Sequence, residues 1–240
     1  MTIHITIHGQ GRPLVLFHGF GFDSQIWTSL LPLLEKKYQL HLVDLPGFGL
    51  TNLMSWEAFK LALLERLPKT FTLVGWSMGG LYATRLAVES PSRISALVNL
   101  ASSPKFTRAE EWPGVDQALL SNFSEDLTRS PLLTLEKFMT WQLSAKTKSL
   151  IISSKVPSIE ALQAGLSVLI DWDLRQTINR FIKPILFIFA GLDAILPAKM
   201  MEVMQKTYPQ FDYVMMKKAR HALFLSHTDD FVGILEDFIK

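Results

Sequence analysis

The sequence contains no cysteine among its 240 residues. This absence excludes disulfide bonds, thiolate metal sites and cysteine nucleophiles, and it is typical of proteins from a reducing compartment. We therefore expect a cytoplasmic protein. No segment approaches the roughly 20 consecutive apolar residues of a membrane helix. Residues 1–10 also lack the basic and apolar segments of a secretion signal, so we expect neither membrane insertion nor secretion.

The chain also has little net charge, no low-complexity segment and no internal repeat. Its formal net charge of +2 is too small for general electrostatic attraction to nucleic acid, so we expect no nucleic-acid partner. Hydrophobic residues make up 48% of the chain, and the length allows one large α/β domain with a substantial core. We expect a globular monomer.

Short apolar runs alternate with helical patterns from residue 13 to residue 104. The apolar runs are Pro13–Phe17, Tyr38–Val43, Phe71–Val74 and Ile94–Leu100. Alternation at this spacing predicts an α/β fold with a mostly parallel central sheet and helices on both faces. The two-residue period from Ile3 to Ile7 predicts an additional edge strand.

The pattern changes near residue 105 to helices without intervening strands, and alternation resumes at Pro184. We interpret residues 105–180 as a helical cap inserted at the strand ends that form the active-site face. Residues 1–104 and 181–240 then form one discontinuous core domain. In the cap, Ser130 and Pro131 predict the start of a helix whose aromatic face carries Phe138 and Trp141.

A Gly-x-Ser-x-Gly motif, Gly75 to Gly79, lies between a strand pattern and a helix pattern. A serine at such a turn adopts a strained backbone, and the flanking glycines let the strand and the helix approach each other closely. We expect the hydroxyl of Ser77 to be exposed above the sheet. An earlier strand runs into His18-Gly19-Phe20-Gly21, and in this context the N–H groups of Phe20 and Met78 are the expected oxyanion hole.

A serine nucleophile needs a base and an acid, which follow it along the chain in this arrangement. Asp193 follows the buried strand pattern of Phe187–Phe189, and His221 follows the last strand, so we predict Ser77, Asp193 and His221 as the catalytic triad. Four further carboxylates and one further histidine fit this order or placement less well. They are Asp44, Asp171, Asp173, Asp212 and His227.

This set of residues predicts acyl transfer to Ser77 followed by hydrolysis, and the reaction requires neither a metal nor an organic cofactor. The cap must also face the cavity with side chains. We therefore expect Phe138, Trp141 and Gln142 to contact an acyl chain.

With these residues placed, the chain resembles the α/β-hydrolase superfamily over essentially its full length. More narrowly, it resembles the pimeloyl-[acyl-carrier-protein] methyl ester esterase family of bacterial biotin synthesis. The narrower resemblance rests on the segments His41–Gly49, Gly75–Ser77, Ala101–Pro104 with Phe106, Glu111–Gly114 and Asp173–Gln176. The Trp-Pro-Gly and Ala-Ser-Ser-Pro segments among them are more specific than the superfamily motifs.

The resemblance implies a carboxylesterase that hydrolyses the methyl ester of pimeloyl-acyl-carrier protein, releases methanol and ends chain elongation. Its partner is then an acyl-carrier protein bearing a methyl-pimeloyl chain. It also implies substrate contacts at Phe20, Ser77, Met78, Phe138, Met139, Thr140, Trp141, Gln142 and His221. Carrier proteins are acidic, so the acid-free stretch with Lys137, Lys146, Lys148 and Lys155 is the expected docking site.

Different functions remain open at this point. A general short-chain carboxylesterase or a carbon–carbon bond hydrolase can share this scaffold. A ligand receptor of the same fold can keep the triad and use its closed cap as a signal. A dehalogenase is disfavoured because position 77 holds serine where that chemistry uses aspartate.

Overall fold

A computed structural model describes residues 2–143 and 156–240 of the chain. Seven strands of the described residues form one sheet in the order β1-β3-β2-β4-β5-β6-β7. Only the edge pairing of β1 with β3 is antiparallel; the other described pairs are parallel. The strands are β1 (Ile5–His8), β2 (Arg12–Phe17), β3 (Tyr38–Val43), β4 (Phe71–Trp76), β5 (Ile94–Leu100), β6 (Ile185–Ala190) and β7 (Asp212–Met216). This mostly parallel sheet confirms the predicted fold class.

Two hydrophobic clusters lie on the two faces of the sheet. Side chains alternate along a strand, so Val15 and Phe17 of β2 join one cluster while Leu14 and Leu16 join the other. Because both faces are covered, β2 reads as a continuous apolar run in the sequence. All four of these side chains are fully buried.

The described helices cover both faces of the sheet and its active-site edge. They are α1 (Leu31–Leu34), α2 (Trp56–Arg66), α3 (Met78–Glu89), α4 (Gln117–Arg129), α5 (Pro131–Gln142), α6 (Ile159–Asp171), α7 (Lys199–Thr207), α8 (Leu223–Ser226) and α9 (Thr228–Phe238), with 3₁₀ helices at Ser24–Leu30 and Ile178–Arg180. No helix within the described ranges has the length and hydropathy to cross a membrane.

Two predictions of helix starts are corrected by the structure. In the sequence, Asp23-Ser24 predicts a capped helix through Trp27, Leu30, Leu31 and Leu34, and Ser130 predicts the cap of a later helix. The segment after Asp23 begins where expected, with the Asp23 carboxylate accepting a hydrogen bond from the N–H of Gln25, but it is a 3₁₀ helix over Ser24–Leu30 before α1. Ser130 precedes α5 as predicted, yet its hydroxyl makes no capping hydrogen bond.

Helices α4, α5 and α6 lie in the insertion between β5 and β6, on the predicted cap segment. The two chain crossings between sheet and insertion lie side by side. The N–H of Leu174 donates to the carbonyl of Pro104 at 2.8 Å, and the Lys105 ammonium lies 3.4 Å from the Asp173 carboxylate. These contacts join the beginning and the end of the insertion where it meets the core. That residues 105–180 form a cap distinct from the core domain stays a prediction.

Candidate active site

Ser77 lies at the turn between β4 and α3 with φ 56° and ψ −120°, a region that non-glycine residues rarely adopt. The flanking glycines are required by close backbone contacts. A Cβ on Gly75 would lie 2.7 Å from the carbonyl carbon of Gly79, and one on Gly79 would lie 2.5 Å from the carbonyl oxygen of His18. The motif therefore folds as the tight strand-to-helix turn that the sequence predicted.

Ser77 as a whole residue is only 3% exposed, yet it lines a cavity above the sheet, on the side where the sequence predicts its hydroxyl. In the folded chain, the helices of the insertion cover the turn. Ser77 consequently faces an interior cavity instead of open solvent.

Asp193 and His221 form a close pair beyond the carboxyl ends of β6 and β7. Nδ1 of His221 lies 2.7 Å from Oδ2 of Asp193, and both side chains are almost completely buried. The second carboxylate oxygen of Asp193 accepts hydrogen bonds from the N–H groups of Ile195 and Leu196 at 2.8 and 3.0 Å. The carboxylate is thus fixed by its own loop and fixes the imidazole in turn.

The other ring nitrogen of His221, Nε2, is buried and has no hydrogen-bond partner among the described residues. The Ser77 hydroxyl does not bond to it here, which is common in unliganded sites of this chemistry. Trp76, the residue before Ser77, packs against the His221 ring at 5.7 Å and donates its indole N–H to the His221 carbonyl at 3.0 Å. The strand that presents Ser77 therefore also holds the histidine loop.

Two of the carboxylates that fit the triad less well make structural contacts of their own. The Asp44 carboxylate accepts hydrogen bonds from the N–H groups of Ser24 and Leu50, so it joins two loops. Asp173 binds the Arg175 guanidinium at 2.7 Å, which lowers the pKa of Asp173 to about 2.

Asp171, Asp212 and His227 lie away from Ser77 along the fold. Asp171 ends α6, and Asp212 begins β7, at the strand end opposite His221. His227 lies before α9, where its ring is 2.9 Å from the Ser226 hydroxyl. The structure therefore gives none of these three residues the place that Asp193 and His221 occupy.

His18 fixes the loop that leads to Phe20. Its Nε2 accepts the N–H of Leu45 at 2.9 Å, and its Nδ1 lies 2.8 Å from the carbonyl of Gly19. The first contact requires a neutral ring, and complete burial lowers the pKa of His18 despite the opposing effects of Asp44 and of the Gly19 carbonyl. Gly19 lies against the Trp76 ring, where a Cβ would approach ring carbons at about 3 Å.

The N–H groups of Phe20 and Met78, which the sequence predicts as the oxyanion hole, are not used by a loop or turn hydrogen bond in the described part of the chain. Among the described residues, no hydrogen bond uses the N–H of Phe20. Met78 is the first residue of α3, where an N–H has no partner within the helix. The N-terminus of α3, which is the positive end of the helix dipole, lies next to Ser77 and favours a negative charge there.

A cavity of about 370 Å³ opens onto Ser77 between the sheet and the insertion. Most of its lining is apolar and comes both from the core and from residues 105–180. The apolar lining includes Phe20, Phe106, Val115, Leu119, Leu120, Phe123, Phe138, Trp141, Leu166, Leu169 and Ile195. The charged lining residues, Arg108, Asp116 and Asp126, are not buried. The cavity therefore suits a narrow apolar chain whose reacting end reaches Ser77.

A sequence profile of the Alpha/beta hydrolase family matches residues 14–234. The chain belongs to this family. The chain is 50% identical over 240 residues to a protein of Legionella pneumophila (strain Lens) named pimeloyl-[acyl-carrier protein] methyl ester esterase, and each chain is fully covered. A protein of the same name from Photobacterium profundum is 37% identical, with 97% of this chain and 96% of the relative covered. These matches confirm the resemblance to both families that the motifs predicted.

The fold of this alpha/beta hydrolase also matches solved structures. An esterase from Exiguobacterium antarcticum superimposes with a TM-score of 0.88, 21% sequence identity, and coverage of 99% of this chain and 95% of that one. At this identity, the match supports the fold and not the substrate.

The predicted substrate contacts of the hydrolase separate into two groups. Phe20, Ser77, Phe138 and Trp141 line the cavity. Met78, Met139, Thr140, Gln142 and His221 are not among its lining residues. Thr140 is exposed, Met139 packs on the opposite core cluster, and the buried Gln142 accepts the N–H of Ala222 through its carbonyl.

Sequence reasoning missed several residues of the hydrolase site. Phe123 of α4 contacts the rings of Phe20 and Phe138, and Leu166 and Leu169 of α6 complete the lining. Their apolar periodicity predicts buried helix faces, but it does not distinguish a cavity wall from ordinary core. The contact of Trp76 with the His221 loop was also missed, although Trp76 directly precedes Ser77 in the sequence.

Of the predicted docking lysines, Lys137 is described and lies exposed on α5. It borders an outer groove of about 380 Å³ between α4 and α5, together with Arg129. This groove shares Phe123, Asp126 and Trp141 with the cavity of Ser77. Lys146, Lys148 and Lys155 lie outside the described residues. Within the described part of the chain, no group of three or more potential metal-binding side chains occurs.

Proposed function

We propose that this chain is a serine carboxylesterase that hydrolyses the methyl ester of pimeloyl-[acyl-carrier protein] to the carboxylate and methanol, in biotin synthesis. The observation that carries the chemistry is the buried Asp193–His221 pair at 2.7 Å beside the strained turn of Ser77. The substrate follows from full-length relatives that bear this name at up to 50% identity.

In the proposed reaction, Oγ of Ser77 attacks the ester carbonyl while Nε2 of His221 takes its proton. Asp193 holds the imidazole orientation and stabilises the cation that forms. The N–H groups of Phe20 and Met78 donate to the oxyanion, and each such donor is worth roughly 10²- to 10³-fold in rate. His221 then protonates the departing methoxide, which leaves as methanol.

The second half of the reaction hydrolyses the acyl-enzyme. His221 takes a proton from water, whose oxygen attacks the same carbonyl carbon, and the acid is released as the proton returns to Ser77. One water is consumed, and one methanol and one carboxylic acid are produced. No step requires a metal or an organic cofactor.

The cavity and its surroundings support an acyl chain delivered by a carrier. Apolar side chains from the core and from residues 105–180 surround the space beside Ser77, which suits the methylene chain of pimelate. The outer groove with Arg129 and Lys137 continues from this cavity and offers positive charge to an acidic carrier. We extend the docking proposal to Lys146, Lys148 and Lys155, and we propose a cytoplasmic monomer with residues 105–180 as its cap.

The test is methanol release from methyl-pimeloyl carrier protein by the wild type and three variants. Ser77→Ala and His221→Ala are each expected to lose nearly all turnover, because such groups act as one unit. His227→Ala is the matched control and keeps wild-type turnover, since His227 bonds to Ser226 away from the site.

If Ser77→Ala retained more than about a hundredth of wild-type turnover, Ser77 would not be the nucleophile. A loss confined to His227→Ala would overturn the choice of base. A wild type that stopped after about one methanol per protein molecule would instead match a ligand receptor.

A further inference from the structure

Ser102 lies behind the turn of Ser77, outside the triad and the cavity lining. Its side chain is buried with 1% exposure, and its hydroxyl donates a hydrogen bond of 2.8 Å to the carbonyl oxygen of Ser77. The N–H of Gly80 donates to the same oxygen at 2.9 Å. The carbonyl of the proposed nucleophile thus accepts two buried hydrogen bonds, one of them from a side chain.

The fold brings Ser102 to this place at some conformational cost. Ala101 follows β5 with φ 45°, in the left-handed region that disfavours alanine, and its N–H donates to the carbonyl of Ile188 at 2.8 Å. Gly80 leaves the space that Ser102 occupies, since a Cβ there would lie 2.5 Å from the Cβ of Ser102. The strained backbone of Ala101 and the absent side chain of Gly80 therefore both allow the Ser102 hydroxyl to reach the Ser77 carbonyl.

The carbonyl of Ser77 and the N–H of Met78 belong to the same peptide unit. This unit is planar and trans, because the described chain has no cis peptide bond, so the two groups point in opposite directions. A hydrogen bond that holds the carbonyl on the interior side also holds the N–H toward the cavity side. Donation to the carbonyl further polarises the N–H, because linked hydrogen bonds strengthen one another.

We propose that Ser102 is a positioning residue for the oxyanion hole: through the Ser77 carbonyl, its hydroxyl orients and polarises the Met78 N–H that stabilises the transition state. The proposal rests on the esterase function proposed above and adds a residue to it. It also assigns a role to the Ala-Ser-Ser-Pro segment, Ala101 to Pro104, which otherwise has none in the chemistry.

Ser103 provides a matched control. It is the same residue type, it is equally buried at 1% exposure, and its hydroxyl also donates to a backbone carbonyl. That carbonyl is the one of Lys105, in the chain crossing to residues 105–180, and not the one of Ser77. The variants Ser102→Ala and Ser103→Ala therefore remove comparable hydrogen bonds and differ in the peptide that they affect.

The experiment measures kcat and KM for a chromogenic butyrate ester, and Ki for an alkyl trifluoromethyl ketone that forms a tetrahedral adduct on serine. Ser102→Ala is expected to lower kcat about tenfold, the size of one net hydrogen bond, with KM within about twofold of wild type. Its Ki is expected to rise by a similar factor. Ser103→Ala is expected to keep kcat, KM and Ki within about twofold, and thermal unfolding checks that each variant is folded.

Three results would overturn the proposal: an unchanged kcat in Ser102→Ala, equal losses of kcat in the two variants, or a rise in KM with an unchanged Ki. If Ser102→Ala does not fold, Ser102→Cys is measured instead, because a thiol is a weaker donor, and a kcat equal to wild type then overturns it. A wild type without ester turnover would contradict the proposed function itself, which separates the two failures.

Discussion

The backbone of Ser77 lies at φ 56°, a conformation that costs a non-glycine residue of order 1–3 kcal/mol. Three hydrogen bonds of this one residue offset that cost. Its N–H donates to the carbonyl of Leu100, and its carbonyl accepts from Gly80 and Ser102. The strained backbone of the proposed nucleophile is thus stabilised by partners in β5, in the turn that follows β5 and in α3.

The lowered pKa of His18 makes the free energy of unfolding depend on pH. Burial lowers its pKa from the ordinary value of 6.5, because desolvation disfavours the charged ring. The Nε2 atom, which accepts the N–H of Leu45, can do so only in the neutral form. The unfolded chain therefore binds more protons than the folded one below about pH 6.5. The stability that His18 contributes is fully present above this pH and is lost as pH falls toward the lowered folded pKa.

The test compares the free energy of unfolding of wild type and His18→Gln between pH 8 and pH 5. The wild type is expected to lose stability more steeply below about pH 6.5, by at most about 1.4 kcal/mol per pH unit from this group. Burial lowers the pKa of His41 too, but that residue is present in both proteins. Identical pH slopes would contradict the role given to His18.

At the scale of single residues, the sequence predicts Ser77, Asp193 and His221 because each lies at or shortly after the carboxyl end of a strand pattern, in a fixed order along the chain. It does not predict Ser102 or Phe123. Their partners, the Ser77 carbonyl and the rings of Phe20 and Phe138, are distant along the chain or become neighbours only when helices pack. Contacts between residues so far apart produce no periodic pattern in the local sequence from which they could be predicted.

Helix α6 packs on the core through its small residues. A Cβ on Gly165 would lie 3.0 to 3.2 Å from the rings of Phe48 and Phe20, closer than side chains normally pack. Phe20 also carries one proposed oxyanion donor. The distance of α6 from the core is therefore coupled to the position of the active-site loop.

Gly165→Ala and Gly233→Ala make a matched pair in helices. Alanine favours the helix over glycine by roughly 0.5–1 kcal/mol at either site, and a Cβ on Gly233 of α9 meets nothing within 4 Å. Gly233→Ala is expected to raise the free energy of unfolding by about that amount and to keep wild-type turnover.

Gly165→Ala is expected to gain less stability than Gly233→Ala, or to lose some, because Phe20 and Phe48 must move by a few tenths of an ångström. The displaced loop is expected to lower kcat about threefold or more. Chemical denaturation and ester hydrolysis measure the two effects. Equal stability gains with unchanged kcat in both variants would contradict the coupling.

Element types were easier to predict than their details. The amphipathic pattern of residues 55–67 and the helical pattern after Ser77 predict helices, and α2 and α3 lie there, whereas the segment after Asp23 is a 3₁₀ helix. Over seven residues, apolar spacing does not separate a three-residue period from a 3.6-residue period. Similarly, Ser130 has the residue type of a helix cap, but its conformation of φ −149° and ψ 68° keeps its hydroxyl from bonding.

For the whole molecule, charge on the outer face of α5 is proposed to guide the carrier. Lys137→Glu is expected to raise the apparent KM for the carrier-bound ester severalfold and to leave the hydrolysis of a small free ester unchanged. Lys36→Glu is the control, because Lys36 is also exposed but lies before β3, at the sheet edge opposite Ser77.

Added salt is expected to weaken the use of the carrier-bound ester by the wild type, since charges at the surface are screened over about 8 Å at physiological ionic strength. If Lys137→Glu and Lys36→Glu change KM equally, or if neither changes it, α5 does not dock the carrier through its charge.

The whole-molecule architecture could be predicted because alternating strands and helices permit few topologies. The stretch from residue 105 to residue 180 stood out by its lack of strand patterns, and α4, α5 and α6 lie within it. The shape of the cavity beneath these helices could not be predicted, because it depends on how they pack on Phe20 and Ser77.

The most direct test of the proposed function compares kcat/KM for methyl-pimeloyl carrier protein with kcat/KM for free dimethyl pimelate, measured by intact mass and methanol release. We expect the wild type to remove one methyl group from the carrier-bound ester, with a kcat/KM at least about tenfold above that of the free ester, and Ser77→Ala to act on neither ester. Equal kcat/KM values for the two esters, or turnover of the free ester alone, would contradict the proposed function and indicate a general carboxylesterase.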